Sequence, residues 1–232
     1  MPRRPARILN IIISVIFLIV GIYLNLLFIS ANKYPPVDQS VIVDLPFEGT
    51  WIATGAGASI LTNHHDRIPS QKYAIDISRV GKNGKLFNGA EESNTYGAEI
   101  LSPVDGKVVY IIDTLPDHPV RERDKLAGNH IVIQFHDTLY AALAHLQPYS
   151  IPLKVGDNVQ SGALIGKAGM SGNTDICHLH IHIQDGPVYN IETSKTYPIR
   201  FKKFQRKRFL FWHNQEDQYL LSNDWVKYPV DQ

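Results

Sequence analysis

The sequence predicts a mainly β domain behind one N-terminal transmembrane helix. Three observations carry that reading. Residues Ile8 to Ile29 hold no charge and only Asn10, Ser14, Tyr23 and Asn25 as polar interruptions. After residue 30 no stretch keeps a helical apolar period; short apolar runs broken by Pro46, Gly49, Gly55 and Gly57 take its place. The segment His178-Leu179-His180-Ile181-His182-Ile183-Gln184 alternates strictly, as does a strand with one face in a core and the other lined by imidazoles.

At 232 residues, with 44% hydrophobic and 10% aromatic content, the chain can bury one sizeable core, so one folded domain is expected. A formal net charge of +1 gives no overall electrostatic case for nucleic acid, and no such partner is expected. The single cysteine, Cys177, excludes an intrachain disulfide and leaves the redox compartment open.

In chain order, residues 1–7 form a basic tail with Arg3, Arg4 and Arg7, and residues 8–29 the membrane span. Twenty-two residues at about 1.5 Å each reach roughly 33 Å, enough for a hydrocarbon core of about 30 Å. The arginines predict a cytoplasmic N-terminus, which puts the domain outside the cytoplasm, periplasmic or at the cell surface. A cleaved signal peptide is the rival reading, but its apolar region is usually about 7–15 residues, and Phe28-Ile29-Ser30-Ala31 is a poor cleavage site. Residues 30–40, with Tyr34-Pro35-Pro36, read as a stiff linker.

The domain is expected over 41–190, with strands at Lys72–Arg79, Ala98–Asp113, Asn129–Phe135, Thr138–Leu146 and Ala163–Ala168. Two polar segments, Gly81 to Tyr96 and Thr114 to Gly128, are long enough to wall a binding groove. Residues 191–232 form an extension, whose Phe209–Trp212 and Tyr219–Tyr228 are expected to close an edge as a hairpin. Its 200–208 run holds Arg200, Lys202, Lys203, Arg206, Lys207 and Arg208, a solvated strand face or a contact for anionic wall polymers or lipid headgroups.

Four elements hold residues with metal or proton chemistry: Asn63-His64-His65, Gln71 to Ile77 around Asp76, Leu143-Ala144-His145-Leu146, and His178-Leu179-His180. A hydrolytic zinc ion takes three protein ligands and leaves a position for water. In a strand, His178 and His180 share a face roughly 7 Å apart, awkward for one ion to take both, so one ligand and one catalytic neighbour are expected. Asp76 lies between Ile75 and Ile77 and faces away from them. Cys177 points opposite to His178 and is not expected to be a ligand.

Together these residues resemble the lysostaphin-type (LytM-like) zinc metallopeptidases. The likeness runs from Phe47 to Gln184 and includes the Ser102-Pro103-Val104-Asp105-Gly106 turn and Gly166 to Asn173. It implies a small, mainly antiparallel, sandwich-like β fold with a long groove, one zinc ion on its floor, and hydrolysis of peptide bonds in peptidoglycan. It implies Asp76 and His180 as metal ligands, with His145 and His178 as catalytic residues beside the water. His182 has no fixed catalytic counterpart and reads as a groove-floor residue or a support to a ligand. The usual first-ligand position, four residues before the Asp, is Lys72 here. The pattern Asn-x-His followed by Gln-x-Tyr-Ala-x-Asp resembles a branch with an upstream histidine, which nominates His65 for the metal, with His64 next. In an extended segment only one of the two can face Asp76. If neither reaches the metal, the chain is a non-catalytic wall-binding or regulatory module of the same fold.

Overall fold

The computed structural model describes residues 4–81, 93–117, 124–188, 190 and 192–229, with only the backbone of residues 4 and 5. Arg3, the Arg4 side chain, most of the expected groove wall Gly81 to Tyr96 and part of Thr114 to Gly128 lie outside that set. Helix α1, Arg4–Lys33, is long and apolar enough to cross a bilayer. It runs four residues into the expected linker and stops short of Pro35, because a proline disfavours helix in the residue before it.

The domain is mainly β and mainly antiparallel. Its strands are β1 (Val41–Val43), β2 (Trp51–Gly55), β3 (Ile75–Arg79), β4 (Glu99–Leu101), β5 (Gly106–Ile112), β6 (Asn129–His136) and β7 (Leu139–Leu146). There follow β8 (Asn158–Val159), β9 (Leu164–Lys167), β10 (Leu179–Gln184), β11 (Thr196–Tyr197), β12 (Ile199–Lys207), β13 (Trp212–Gln218) and β14 (Trp225–Lys227). The main sheet runs β1-β12-β14-β2-β3-β10-β7-β6-β5-β8, with β11 beside β10, β13 beside β12, and β4-β9 as a separate pair. Among the described strands, only β1 and β12 pair in parallel.

The alternating segment lands at the centre, as β10 between β3 and β7. Leu179, Ile181 and Ile183 enter one core with Ile75, Ile77, Ile131 and Leu143. The opposite face of β10 is therefore left with His180, His182 and Gln184, all buried.

The extension departs from the expected hairpin. Its hairpin is β12 with β13, paired from Phe201↔Gln218 to Lys207↔Trp212, and Phe209, Leu210 and Phe211 are its exposed tip rather than a strand. The 200–208 run is also less free than its charge suggests. Arg200 is buried and donates to the Pro35 and Asp217 carbonyls, Lys202 pairs with Asp44, and Arg206 and Arg208 face Asp224. Lys207 lies over the Trp225 ring at 4.0 Å. Side chains already engaged in the domain make a weak polyanion patch, which narrows the expected wall-polymer contact.

Backbone crosses backbone where Gly172 meets Gly128. Gly172 has φ +82°, and a Cβ there would collide with the Gly128 backbone, so both conformation and space require glycine. Gly172→Ala should destabilise the metal-free domain by more than about 1 kcal/mol, lowering Tm by at least roughly 2–4 °C. Thermal unfolding followed by circular dichroism reads this, and an unchanged midpoint would contradict it.

Candidate metal centre

Strand register builds the centre. His180 is the direct antiparallel partner of Asp76, and opposed residues present side chains on one face about 5 Å apart. The pair meets at 2.9 Å between His180 Nδ1 and Asp76 Oδ1. The other ring nitrogen of His180 is engaged: Nε2 lies 3.0 Å from His182 Nδ1, and His182 Nε2 lies 2.8 Å from Gln184 Oε1. Because the Gln184 Nε2 group donates to the Gly186 carbonyl, its Oε1 accepts from His182 Nε2–H. His182 Nδ1 must then accept from His180 Nε2–H. The chain of bonds leaves His180 Nδ1 with a lone pair aimed at the site.

His65 arrives from a 3₁₀ turn, residues His64–Arg67, capped by Asn63, whose side chain accepts from the His65 N–H. Asn63 is buried and also donates to the Gly57 and Ala74 carbonyls, tying the turn to the start of β3. Gln71 Oε1 lies 3.2 Å from His65 Nδ1. That leaves His65 Nε2 3.0 Å from Asp76 Oδ2 yet buried without a hydrogen-bond partner. An orphaned buried nitrogen beside a carboxylate is poorly satisfied by protein alone and well suited to a cation.

The expectation that only one of His64 and His65 faces Asp76 does not hold. In a 3₁₀ turn neighbours do not alternate, and the two rings lie 4.0 Å apart, with His64 Nε2 3.4 Å from Asp76 Oδ2. Exposure separates them: the His64 side chain is 66% exposed and that of His65 9%. Gly55 makes room, since a Cβ there would crowd the His64 ring and Asp76. Lys72, at the position where relatives would carry the first ligand, instead has its Nζ 5.6 Å from the Tyr73 ring centre.

His145 reaches the site through a bulge. Alternation along β7 would send it into the core after Ala141 and Leu143, but the register slips opposite Asn129 and Ile131 and His145 takes φ +59°. A left-handed conformation at a bulky residue carries strain; here it turns Leu146 into the core and His145 into the groove. Its Nδ1–H donates to the Ser171 carbonyl at 2.9 Å. His178 Nδ1–H likewise donates to the Ile176 carbonyl at 2.8 Å, so both rings turn Nε2 to the site, with centres 4.7 Å apart.

The electrostatics follow. Burial opposes charge on Asp76, but the charges of His178 and His65 and a hydrogen bond from His178 hold it well below the usual carboxylate range. Burial keeps His145 neutral, reinforced by His178 and His180, and pushes His180 down to about 3 and His182 to about 4. Burial also disfavours the His178 cation, but Asp76 more than offsets it and raises that pKa. The donor set is one carboxylate with imidazoles whose lone pairs are available, which fits zinc. Ring nitrogens of His145, His178 and His180 lie within 4.8 Å of one another, as do donor atoms of His64, His65 and Asp76; Asp76 joins the two sets.

Cys177 is no part of this. Its thiol donates to the Gly169 carbonyl, and burial pushes it up to about 12. The sequence carried Gln71, Ser171 and Gln184 without signalling their roles as partners to the histidines, because such roles depend on which loop or neighbour faces which ring. The site occupies a cavity of about 360 Å³, and Leu126 and Ala127 in its wall also line a second cavity of about 690 Å³ with Tyr110 and His130.

Residues 85–191 match the model of peptidase family M23. That span holds His145, His178 and His180 and begins after His65 and Asp76. Among solved structures, the chain is similar to the catalytic domain of lysostaphin from Staphylococcus simulans (18% identity, 64% of this chain, 88% of that one, TM-score 0.38). It is also similar to the deep-sea M23 metalloprotease pseudoalterin (12% identity, 78% and 95%, TM-score 0.46). A third likeness is to a zinc-containing peptidase from Vibrio cholerae (21% identity, 47% and 46%, TM-score 0.31). The chain spans between 36% and 60% of the first solved structures it matches.

The relay behind His180 and the Gln71 contact behind His65 orient rings without touching the ion, and such partners are typically worth about 10–100-fold in metal affinity. His182→Phe and Gln71→Ala should each weaken zinc binding by that order in a competition titration. Nitrogen-15 spectra of the metal-free wild type should show His180 as the Nε2–H tautomer, lost in His182→Phe. Unchanged affinity in both variants would leave these contacts a packing role alone.

Proposed function

We propose, taking the chain's lysostaphin-type peptidase family M23 domain as premise, that it is a membrane-anchored zinc endopeptidase hydrolysing peptide bonds in peptidoglycan. One observation carries the reading: His65 Nε2 and His180 Nδ1 flank the Asp76 carboxylate, 3.0 Å from Oδ2 and 2.9 Å from Oδ1, with the Nε2 atoms of His145 and His178 alongside. His65, Asp76 and His180 would hold the ion, three protein ligands with room for water. A bound zinc ion supplies Lewis acidity, polarising a carbonyl and acidifying a water molecule.

The chain's own groups do the rest. His145 and His178 stand as neighbours with Nε2 presented to the groove. One imidazole accepts the proton of the attacking water; the other stabilises charge on the carbonyl oxygen or protonates the leaving amine. The Ser171 and Ile176 carbonyls fix both rings, so neither must reorganise during proton transfer. The groove toward Tyr110 and His130 accommodates an extended peptide. Anchored by α1 with the N-terminus in the cytoplasm, the domain acts on the outer side of the membrane, where wall is found.

Full-length protein in detergent should release new amine termini from purified cell wall, lose that activity to a chelator and regain it with zinc. No release from metal-loaded protein would favour the non-catalytic alternative, a wall-binding module, which the displaced first ligand keeps in view. His178→Ala should retain zinc and lose about 10²–10⁴-fold in turnover, whereas His180→Ala should lose zinc; equal metal loss would contradict the division of roles. His65→Ala should strip the ion and His64→Ala keep most of it, with the reverse result transferring the role to His64.

A further inference from the structure

Helix α1 does not stand clear of the domain. Leu27 and Ser30 are buried, Ser30 bonds to Thr62, and Tyr34 is held at both ends: its ring stacks on Tyr219 and its hydroxyl bridges the Ile199 backbone. Ile60 and Leu61 flank a cavity of about 320 Å³ that Tyr23, Leu26 and Leu27 also line. At the end of β12, Arg208 lies within electrostatic reach of the Tyr23 hydroxyl. Strand β12 therefore begins beside Tyr34 and returns along the helix, so that Arg208, at the start of its turn, is at the level of Tyr23.

The span's length then decides where that turn sits. If the bilayer ended at Tyr23, the stretch from Ile8 would offer about 16 residues and roughly 24 Å, short of a core of about 30 Å. Ile29 lies roughly 9 Å beyond Tyr23 along the helix axis. Whatever packs at the Tyr23 level must therefore enter the lipid, and the residues there are suited to it. Phe209, Leu210 and Phe211 are 62%, 80% and 71% exposed, and Ile60 and Leu61 are 40% and 50% exposed. Behind the tip stand Trp212 and Trp225 with Lys207 and Lys227 over their rings, the mixture of amphipathic aromatics and cations that settles at headgroup level.

We propose that the β12–β13 tip, with Ile60 and Leu61, is a membrane-docking face that enters the near leaflet beside α1. The inference rests on α1 being an anchor. It deepens the proposed function, because His64 lines both the metal-site groove and the cavity against the helix, so docking holds the groove mouth at the bilayer surface. An apolar patch of this size exposed to water would otherwise call for a protein partner; continuity with the helix's own lipid-facing surface selects the bilayer.

Nitroxide labels on single cysteines test it in the full chain, reconstituted into phosphatidylcholine–phosphatidylglycerol vesicles. The buried native Cys177 serves as the unlabelled background, checked on the wild type. Leu210→Cys should collide severalfold more with oxygen than with a water-soluble nickel chelate, as should Phe17→Cys in mid-span, while Val155→Cys on the far hairpin shows the opposite ratio. Water at 210 with lipid at 17 would overturn the docking face and leave the anchor standing, and would point to a protein partner for the patch. Water at 17 would remove the anchor itself. Quenching of Trp212 by brominated lipid, lost in Leu210→Glu with an unchanged melting curve, gives a second reading independent of labelling.

Discussion

The centre depends on one cross-strand pairing, His180 opposite Asp76, made where β10 runs antiparallel to β3. Period-two alternation commits three apolar side chains of β10 to the core and so has no choice about where His180, His182 and Gln184 go. A slip of one residue would bury the imidazoles among Ile75, Ile77 and Leu143 and turn Ile181 to the groove. Hydrophobic burial thus fixes the position of the polar face as firmly as any polar contact does. Asp76, placed by the same logic from β3, becomes the point to which His64, His65 and His178 are drawn.

Around that pair, each inner histidine has one ring nitrogen committed to the protein and the other turned to the site. Gln71 holds His65, Ser171 holds His145, Ile176 holds His178, and the His182–Gln184 relay holds His180. Buried polar networks are stable when every member is matched, and here His65 Nε2 is left unmatched beside the Asp76 carboxylate. His145 carries backbone strain within the centre, its left-handed conformation held by hydrogen bonds to Ala127 and Gly169 on either side.

Much of this was legible in the sequence for a simple reason. Alternation and turn chemistry are local, so β10, β3, the mainly antiparallel fold and the long apolar N-terminal helix could be read from neighbours in the chain. His145 could be nominated by resemblance, but its route to the groove could not, because the bulge arises from pairing with β6. The geometry of His64 and His65 was misjudged for a related reason. An extended segment was assumed, whereas Asn63 folds it into a 3₁₀ turn by reaching carbonyls at Gly57 and Ala74, contacts a linear pattern does not display. The final hairpin was displaced because Phe209 to Phe211 carry the composition of a strand and serve as the turn between two.

The clamp at Tyr34 has a mechanical side. The helix enters the domain through Tyr34, the Arg200 guanidinium over its ring and the parallel β1–β12 ladder, and it also touches the segment before the histidine turn, where Ser30 bonds to Thr62. Tension between helix and domain would load that ladder along its length, so its hydrogen bonds would share the tension and yield together rather than peel one by one. Along the sheet such a load meets β1 and β12 before β3 and β10, whereas the Ser30–Thr62 contact is a shorter route from the helix to the turn that carries His64 and His65.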